Sequence, residues 1–424
     1  MADLSCNIAG VLSPNPFWLA SAPPTDKQIN VERAFEAGWG GVVWKTLGEA
    51  GPPVVNTCSR YGSVDLGGQR MMGLNNIELI TDRPLEVNLR EITAVKKNWP
   101  DRAMVVSLMV PCEEQAWKTI LQQVEQTGCD AVELNFGCPH GMSERGMGAA
   151  VGQVPKYIEQ VTGWCKTHTK LPVFVKLTPN ITNICNPARA AGAGGADAVS
   201  LINTINSIVA IDLDQMSPMP TVGGKGAHGG YCGPAVKPIA LAMVAEIARD
   251  SKTAALPISG IGGIASWRDS AEFIALGCGS VQVCTAAMRF GFKIVDDLID
   301  GLANWMDDKG YAKLEDFRGR AVPNVTDWQY LDLNYKLIAD IDQDKCIECG
   351  LCHIVCEDTE HQAISKSRSE DGRRVYQVID DECVGCNLCA LVCPVPECIT
   401  MVEQDNSLPY MNWTQHPNNP SSVS

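Results

Sequence analysis

The stretch CIECGLCHIVC at residues 346–356 and its second copy, CVGCNLCALVCP at residues 383–394, carry the most specific pattern in the chain. Both copies have the cysteine spacing C-x2-C-x2-C-x3-C. The cysteines of the two runs are Cys346, Cys349, Cys352, Cys356, Cys383, Cys386, Cys389 and Cys393. The 424-residue chain has 19 cysteines and begins, at MADLSCNIAG, without the segments of a secretory signal. In a reducing compartment such cysteines are expected to be ligands or reactive groups rather than disulfide partners.

This spacing is the ligand pattern of a two-cluster ferredoxin, in which each [4Fe–4S] cluster takes three thiolates from one run and the fourth from the other. We therefore predict two crossed ligand sets. They are Cys346, Cys349, Cys352 and Cys393 for one cluster, and Cys383, Cys386, Cys389 and Cys356 for the other. A pair of zinc sites is the alternative. A zinc site needs four ligands at one metal ion, whereas this pattern supplies three closely spaced cysteines and a distant fourth for each site. Glu357 replaces the proline expected after Cys356, and Cys398 is interpreted as a buried small residue.

The first 310 residues alternate short apolar runs with amphipathic helical stretches, which is the pattern of parallel βαβ units. The candidate strands are 16–22, 41–46, 103–109, 131–137, 172–178, 198–204, 257–262 and 280–285. Clear helical stretches are 112–127, 235–250 and 266–277. Eight strands, each followed by a helix, predict an α/β fold, a (β/α)8 TIM barrel. Two long loops, 47–82 and 205–234, follow the second and sixth strands at the end of the barrel where active sites are built.

The predicted organisation has four parts. They are a barrel over 1–310, a linker over 311–335, a ferredoxin-like α+β domain over 336–403 and a flexible tail over 404–424. Lys+Arg number 34 against 49 Asp+Glu, and the net charge of -15 disfavours nucleic-acid and anionic-membrane partners. No stretch reaches the ~20 apolar residues of a membrane span, so we expect a cytoplasmic protein. A GxGxxG string at 224–229 lies in a Pro- and Met-rich loop, so it predicts no nicotinamide site.

Polar residues and glycines are concentrated at the predicted strand ends, where barrels carry ligand-binding groups. They are Ser21, Lys45, Thr46, Asn135, Cys138, Lys176, Thr178, Asn203, Thr204, Gly260, Gly262, Gly263, Cys284 and Thr285. A lysine within an apolar strand needs an anionic partner when it is buried. The glycines after the seventh strand and the residues that end the eighth offer backbone N–H groups for a phosphate. We therefore predict FMN, a two-electron partner for the one-electron clusters, with a lysine near its ring.

The loop that follows the fourth strand, NFGCPHGMSERGMG at 135–148, contains a candidate proton donor. A thiol with a pKa near ~8.5 exchanges protons at neutral pH far more readily than a serine hydroxyl. Cys138 is therefore our candidate for the acid, although a lone cysteine is more often a small buried residue. His140 is the competing candidate because imidazole titrates nearer neutral pH.

These residues carry a family resemblance. LASA (19–22), WKT (44–46), ELNFGCPHGMSERGMG (133–148), VKLTPN (175–180) and GIGG (260–263), with the paired cysteine runs, resemble the motifs of dihydropyrimidine dehydrogenases. The resemblance extends from about Cys6 to Met401. It corresponds to the C-terminal half of the long animal enzyme and to the catalytic subunit of the bacterial two-subunit, NAD-dependent enzyme.

The resemblance implies roles for individual residues. Cys138 is the implied catalytic acid. The implied FMN contacts are Ser21, Lys45, Thr46, Lys176, Gly233, Gly262, Gly263, Cys284 and Thr285. The implied pyrimidine contacts are Asn76, Glu78, Asn135, Asn203 and Thr204. Gly137 and Thr285 depart from the animal enzyme, which has serine at both positions, and the change at Gly137 removes one side-chain contact to substrate.

The implied reaction is the reduction of uracil, and of thymine, to the 5,6-dihydropyrimidine in pyrimidine degradation. Hydride would reach C6 and Cys138 would protonate C5. Electrons would pass from NADH, on a partner subunit that binds FAD, through the two clusters to FMN in a heterotetramer with two copies of each subunit. Three alternatives stay open: a dihydroorotate dehydrogenase, an RNA dihydrouridine synthase, which the acidic charge disfavours, and a non-catalytic electron-transfer adaptor.

Overall fold

The computed structural model describes residues 2–49, 54–66 and 70–420. The chain divides into two compact units, Met1–Val325 and Thr326–Ser424. Within the described part, no helix is both long and apolar enough to cross a membrane.

The first unit contains a closed barrel of eight parallel strands. The strands are Phe17–Leu19, Gly41–Leu47, Ala103–Leu108, Ala131–Asn135, Val173–Lys176, Ala198–Leu201, Ile258–Ile261 and Cys278–Val283. Each strand pairs with its neighbours in the sequence, and the eighth closes the barrel by pairing with the first. All their residues are buried, because the runs are packed on both faces, as parallel sheets are. The predicted TIM barrel and all eight predicted strands are confirmed.

Helices follow every strand of the barrel. They are Gln28–Ala37, Leu85–Asn98, Glu114–Glu125, Ala149–Gly152, Pro155–His168, Cys185–Ala193, Lys237–Arg249, Trp267–Ala275, Thr285–Phe290 and Ile294–Lys309. The helix Glu114–Glu125 buries Trp117, Ile120, Leu121 and Val124, a spacing that places all four on one face. The three predicted helical stretches are confirmed to within three residues at each end.

The two long loops contain strands that the sequence analysis did not predict. They form a four-stranded antiparallel sheet in the order Ile205–Ser207, Gly229–Cys232, Arg70–Asn76 and Tyr61–Leu66. We call it the lid sheet. Its strands are short and polar or glycine-rich, so they lack the apolar alternation by which a strand is predicted. Residues 50–53 and 67–69 of the first loop lie outside the described part. Two further antiparallel pairs are Cys6–Ile8 with Val11–Ser13, and Ile211–Asp212 with Ser217–Pro218.

Residues 311–325 belong to the barrel unit and not to a linker. The Asp3 N–H donates to the Ala312 carbonyl at 2.8 Å. Leu314 and Phe317 are buried in the barrel core, and the Phe317 ring lies 5.0 Å from that of Trp305. The predicted linker is therefore wrong over these residues, because scattered apolar residues between charged ones showed no strand or helix period.

The second unit is built from two antiparallel strand pairs and two helices. The strands are Leu337–Ile341 with Ile399–Glu403, and Ile364–Arg368 with Arg374–Val378. The helices, Leu351–Thr359 and Leu388–Val392, each begin inside one of the cysteine runs. This is the predicted α+β domain.

The predicted tail is packed where the structure describes it. The Leu333 N–H donates to the Met411 carbonyl at 2.7 Å, and the Trp328 and Trp413 rings lie 6.0 Å apart. The Tyr410 hydroxyl donates to the Tyr330 carbonyl at 2.6 Å. Residues 404–420 thus pack on 326–335, and the prediction of a flexible tail is wrong for them. Residues 421–424 lie outside the described part.

Candidate functional site

A large cavity opens at the C-terminal ends of the barrel strands, between the barrel and the lid sheet. The empty space in and around its mouth amounts to about 1280 Å³, a figure that includes open solvent. Every residue predicted for catalysis, FMN or pyrimidine lines the cavity. They are Ser21, Lys45, Thr46, Asn76, Glu78, Asn135, Cys138, Lys176, Asn203, Thr204, Gly233, Gly262, Gly263, Cys284 and Thr285. Their individual roles stay predictions.

The glycines after the seventh strand form a part of the wall that only glycine can build. Gly262 and Gly263 have φ angles of +137° and +72°, which L side chains rarely adopt. A Cβ added at Gly262 would lie 2.6 Å from the Ala240 Cβ, and one at Gly263 would lie 2.8 Å from the Lys237 Cβ. Among described residues, no backbone carbonyl accepts a bond from either N–H. This backbone fits the predicted FMN phosphate.

Lys176 ends the fifth strand and is buried, with its ammonium 3.6 Å from Glu133 Oε1. Glu133 is the anionic partner that a buried lysine requires, and it was not named from the sequence. Ser200 Oγ and Gln282 Nε2 donate to the second carboxylate oxygen of Glu133, Oε2, at 2.7 and 3.3 Å. No acceptor among the described residues lies within hydrogen-bond distance of the Lys176 ammonium. Its N–H groups are therefore available to a ligand such as the flavin ring.

Lys45, at the end of the second strand, is in a different charge environment. Its ammonium lies 2.7 Å from Glu78 Oε1 and 3.6 Å from Asp26 Oδ2. Burial raises the pKa of Asp26, and the charge of Lys45 opposes that shift. Two carboxylates therefore surround Lys45, and Lys176 is the lysine with the more available charge.

Cys138 lies in the cavity wall, and its thiol donates to the His140 carbonyl at 3.4 Å. Burial raises the thiol pKa to about 11, and the His140 backbone and the charge of Lys176 only partly oppose this rise. The thiol therefore keeps its proton at neutral pH. The His140 ring is also buried, which lowers its pKa, and its Nε2 lies 3.0 Å from the Glu78 carbonyl oxygen. Its Nδ1 has no partner among described residues.

Amide side chains form a chain of hydrogen bonds across the cavity floor. Asn135 Nδ2 donates to Thr46 Oγ1 at 3.0 Å, and Asn203 Nδ2 donates to Asn135 Oδ1 at 2.9 Å. Gly137 is the neighbour that permits this approach, because an added Cβ would lie 2.3 Å from the Asn203 Cβ. Glycine at position 137, where the animal enzyme has serine, therefore does more than omit a hydroxyl group. It also leaves the space that the Asn203 side chain occupies.

Several residues that line the cavity were not predicted. They are Tyr61, Tyr231, Cys232, Gln282 and Arg289. Gln282 could have been found from the sequence, because a polar residue within the apolar strand Cys278–Val283 indicates a candidate site residue. Tyr61 had none, because it belongs to a lid-sheet strand that the sequence analysis missed.

The eight cysteines of the two runs line two separate cavities. Cys346, Cys349, Cys352 and Cys393 line one, and Cys356, Cys383, Cys386 and Cys389 line the other. The grouping matches the two predicted crossed sets. No three His, Cys, Asp or Glu residues of the described part converge closely enough to hold a single metal ion. Thiolates spread around a cavity suit a cluster, whose iron atoms are ligated separately, better than one zinc ion.

Two family profiles match the chain. The dihydroorotate dehydrogenase profile matches residues 3–306, and the 4Fe-4S dicluster domain profile matches residues 339–401. The chain belongs to the dihydroorotate dehydrogenase family. This membership and the dicluster domain confirm the predicted cofactors, FMN and [4Fe–4S] clusters. Dihydroorotate dehydrogenase is also one of the alternative functions left open above. The profile match covers the barrel, however, and does not by itself identify the substrate.

Named relatives cover both units of the chain. The NAD-dependent dihydropyrimidine dehydrogenase subunit PreA of Escherichia coli K12 is 40% identical over 366 residues, which is 86% of this chain and 88% of that protein. The chloroplastic dihydropyrimidine dehydrogenase (NADP(+)) of Arabidopsis thaliana is 41% identical over 357 residues, 82% of this chain and 83% of that protein. The resemblance to dihydropyrimidine dehydrogenases is therefore confirmed.

A third relative bears the family's own name. The catalytic subunit of dihydroorotate dehydrogenase B (NAD(+)) from Pyrococcus horikoshii is 34% identical over 325 residues, 75% of this chain and 98% of that protein. All three relatives are named as dehydrogenases, and this chain is an oxidoreductase of the same family.

Proposed function

We propose that the chain is the catalytic subunit of an NAD-dependent dihydropyrimidine dehydrogenase, which reduces uracil and thymine to the 5,6-dihydropyrimidines. The observation that carries this proposal is the position of Cys138. Its protonated thiol shares one cavity wall with the Asn135 and Asn203 amides and with the available ammonium of Lys176. An acid, a set of ring-binding amides and a cationic flavin site are the groups that this reduction needs.

Bound FMN supplies hydride transfer to the substrate. The chain supplies the proton: the S–H bond of Cys138 breaks, and a C–H bond forms at C5 of the pyrimidine. The C4 carbonyl is conjugated to the C5=C6 bond, so negative charge that develops in the ring is accessible at C5. The thiolate that remains on Cys138 takes up a proton from water before the next turnover. Because the resting thiol has a pKa of about 11, reprotonation is favourable at neutral pH.

The residues that would hold FMN are those predicted above. Lys176 would face the ring, and the Gly262 and Gly263 backbone would bind the phosphate. The remaining contacts would come from Ser21, Lys45, Thr46, Gly233, Cys284 and Thr285. The pyrimidine would contact Asn76, Glu78, Asn135, Asn203 and Thr204. The two crossed sets of cysteines would each hold one [4Fe–4S] cluster.

The partner would be a flavoprotein subunit that binds FAD and NADH, in a cytoplasmic heterotetramer with two copies of each subunit. The E. coli relative is named as a subunit of an NAD-dependent enzyme, which supports a partner. The string GKGAHG lies outside any strand-to-helix turn of the described structure, so it lacks the setting of a dinucleotide-binding fingerprint. Electrons would enter through the two clusters and leave through FMN.

An anaerobic visible spectrum of the purified chain, recorded with and without uracil, tests the proposal. We expect flavin and iron–sulfur absorbance together and a shift of the flavin bands when uracil binds. Iron and sulfide without flavin would favour the non-catalytic adaptor. A flavin spectrum that uracil does not alter would contradict the substrate.

Dihydroorotate oxidation is the second candidate, supported by the family match and by the P. horikoshii relative. The cavity disfavours it, because orotate carries a carboxylate and Glu78 places another in the wall. Of the two lysines in the wall, Lys45 is already paired with that glutamate. Parallel titrations with uracil and orotate separate the two candidates, and tighter binding of orotate would favour the second.

A further inference from the structure

Glu78 accepts hydrogen bonds from three residues, which lie on two segments of the chain. Its carboxylate is buried and lines the cavity. Oε1 accepts from Lys45 Nζ at 2.7 Å and from Arg60 Nη1 at 3.1 Å. Oε2 accepts from the hydroxyl of Tyr61. Tyr61 therefore orients the carboxylate from the lid sheet, while Lys45 orients it from the barrel.

The two carboxylate oxygens are not equivalent. Oε1 is shared by two cations, whereas Oε2 has a single neutral donor in the described structure. A carboxylate offers about four acceptor positions over its two oxygens. Oε2 therefore retains a position for one further donor. Burial, and then the adjacent Glu78, raises the pKa of Tyr61, so its phenol stays protonated and remains a donor.

The side-chain oxygens of Asn135 and Asn203, on the cavity floor, already accept hydrogen bonds within the protein. Asn135 Oδ1 accepts from Asn203 Nδ2 at 2.9 Å and from the Gly137 N–H at 3.2 Å. Asn203 Oδ1 accepts from the Thr204 N–H at 2.8 Å and from the Thr204 hydroxyl at 3.4 Å. These amides therefore offer N–H donors to a ligand, which suit the ring carbonyls of a pyrimidine. A ring N–H needs its acceptor elsewhere.

Two side-chain acceptors that suit a ring N–H lie on the described wall beneath the lid sheet. Asn76 Nδ2 donates to the Gly230 carbonyl at 3.0 Å, which leaves the Asn76 side-chain oxygen for a ligand. The other acceptor is Glu78 Oε2. Tyr61 pairs across the strands with Asn76 and donates its hydroxyl to Glu78, so one residue is adjacent in the sheet to the first acceptor and hydrogen-bonded to the second.

We propose that Tyr61 is a positioning residue for pyrimidine recognition: its hydroxyl holds the Glu78 carboxylate so that Oε2 accepts a ring N–H of the substrate. This inference rests on the proposed function. Tyr61 does not take part in the chemical step, so its loss should weaken binding and leave turnover of bound substrate nearly unchanged.

The test is Tyr61→Phe in the complete enzyme with its partner subunit. Uracil binding is measured by flavin absorbance in the oxidised enzyme, alongside KM, kcat and FMN content. A hydrogen bond to a charged group is commonly worth about a factor of ten or more in affinity. We expect Kd and KM to rise about tenfold, kcat to stay within about twofold and FMN content to be unchanged. Tyr157→Phe, an exposed residue of the helix Pro155–His168, is the matched control and should change nothing.

A double-mutant cycle with Glu78→Gln distinguishes positioning from a general packing effect. We expect Tyr61→Phe to weaken uracil binding much less in the Glu78→Gln background than in the wild type. Equal weakening in both backgrounds would overturn the proposal. If Glu78→Gln loses FMN, the comparison of Tyr61→Phe with Tyr157→Phe decides, and equal Kd values for those two variants would overturn it. Failure of the wild type to bind uracil would instead contradict the proposed function.

Discussion

The ammonium of Lys176 lies 3.6 Å from Glu133 Oε1 in the interior of the barrel, beneath the cavity. Glu133 is fully buried, and its only cation among the described residues is this lysine. Removing one partner of such a pair leaves a buried charge without compensation, which commonly costs about 3–5 kcal/mol. The pair therefore links the stability of the barrel to the presentation of a positive charge at its mouth.

Replacing Glu133 tests this relationship. We expect Glu133→Gln to lower the Tm of the holoenzyme by several degrees and to weaken FMN retention, because Lys176 loses its counter-charge. The double variant Glu133→Gln with Lys176→Met should recover part of the lost Tm, because it removes both charges. Measurements of thermal unfolding and flavin content check both statements. A double variant less stable than Glu133→Gln alone would contradict the pairing.

Cys138 is tested by its loss and by its pH dependence. We expect Cys138→Ser to keep FMN and to lose about 10²–10⁴ of the rate of uracil reduction, because a serine hydroxyl is a much weaker acid. The wild-type thiol must be protonated to act and has a pKa of about 11. Its contribution to the rate should therefore be complete at neutral pH and decline only as the pH approaches 11. Near-normal turnover in Cys138→Ser, measured by single-turnover kinetics, would contradict the assignment.

Gly137 is tested by adding a methyl group. In Gly137→Ala the new Cβ would lie 2.3 Å from the Asn203 Cβ, so Asn203 must move away from Asn135. We expect the KM for uracil to rise at least about tenfold with FMN retained. The displaced Asn203 would lose its hydrogen bond to Asn135, and the loss of one good hydrogen bond commonly weakens binding by about this factor. Gly163→Ala is the control: that glycine lies within the helix Pro155–His168, and an added Cβ meets nothing within 4 Å. Equal KM values in the two variants would show that the contact is unimportant.

The crossed cluster ligands are tested by pairs of cysteine substitutions. Cys356 and Cys383 line the same cavity, whereas Cys393 lines the other. We expect Cys356→Ala with Cys383→Ala to lose one cluster, about four irons per chain, and Cys356→Ala with Cys393→Ala to lose both. Iron and sulfide analysis of the purified variants measures this. The reverse would contradict the crossed arrangement: Cys356→Ala with Cys383→Ala losing both clusters, and Cys356→Ala with Cys393→Ala losing one.

The barrel and the cluster domain were predictable because their signals are local. A continuous apolar run such as VFV at 173–175 is buried on both faces wherever it occurs in a parallel sheet, and the cysteine spacing is set by the geometry of the cluster. The lid sheet was not predictable, because strands such as GGYC and INS have neither the length nor the alternation of a typical strand. They are stabilised by pairing with distant segments, and that pairing leaves no local trace in the sequence. The segments 311–325 and 404–420 were missed for the same reason.

Sequence alone determined which residues have the chemistry for this site: the thiol of Cys138, the two lysines and the amides, all at strand ends that converge in a barrel. Tertiary structure decided what each of them is free to do. The ammonium of Lys45 is occupied by Glu78, whereas that of Lys176 is available. The acceptors of Asn135 and Asn203 are used within the protein, whereas Glu78 Oε2 retains room. Hydrogen-bonding capacity and charge compensation depend on which atoms lie within about 3 Å in space, and the order of residues along the chain does not specify that.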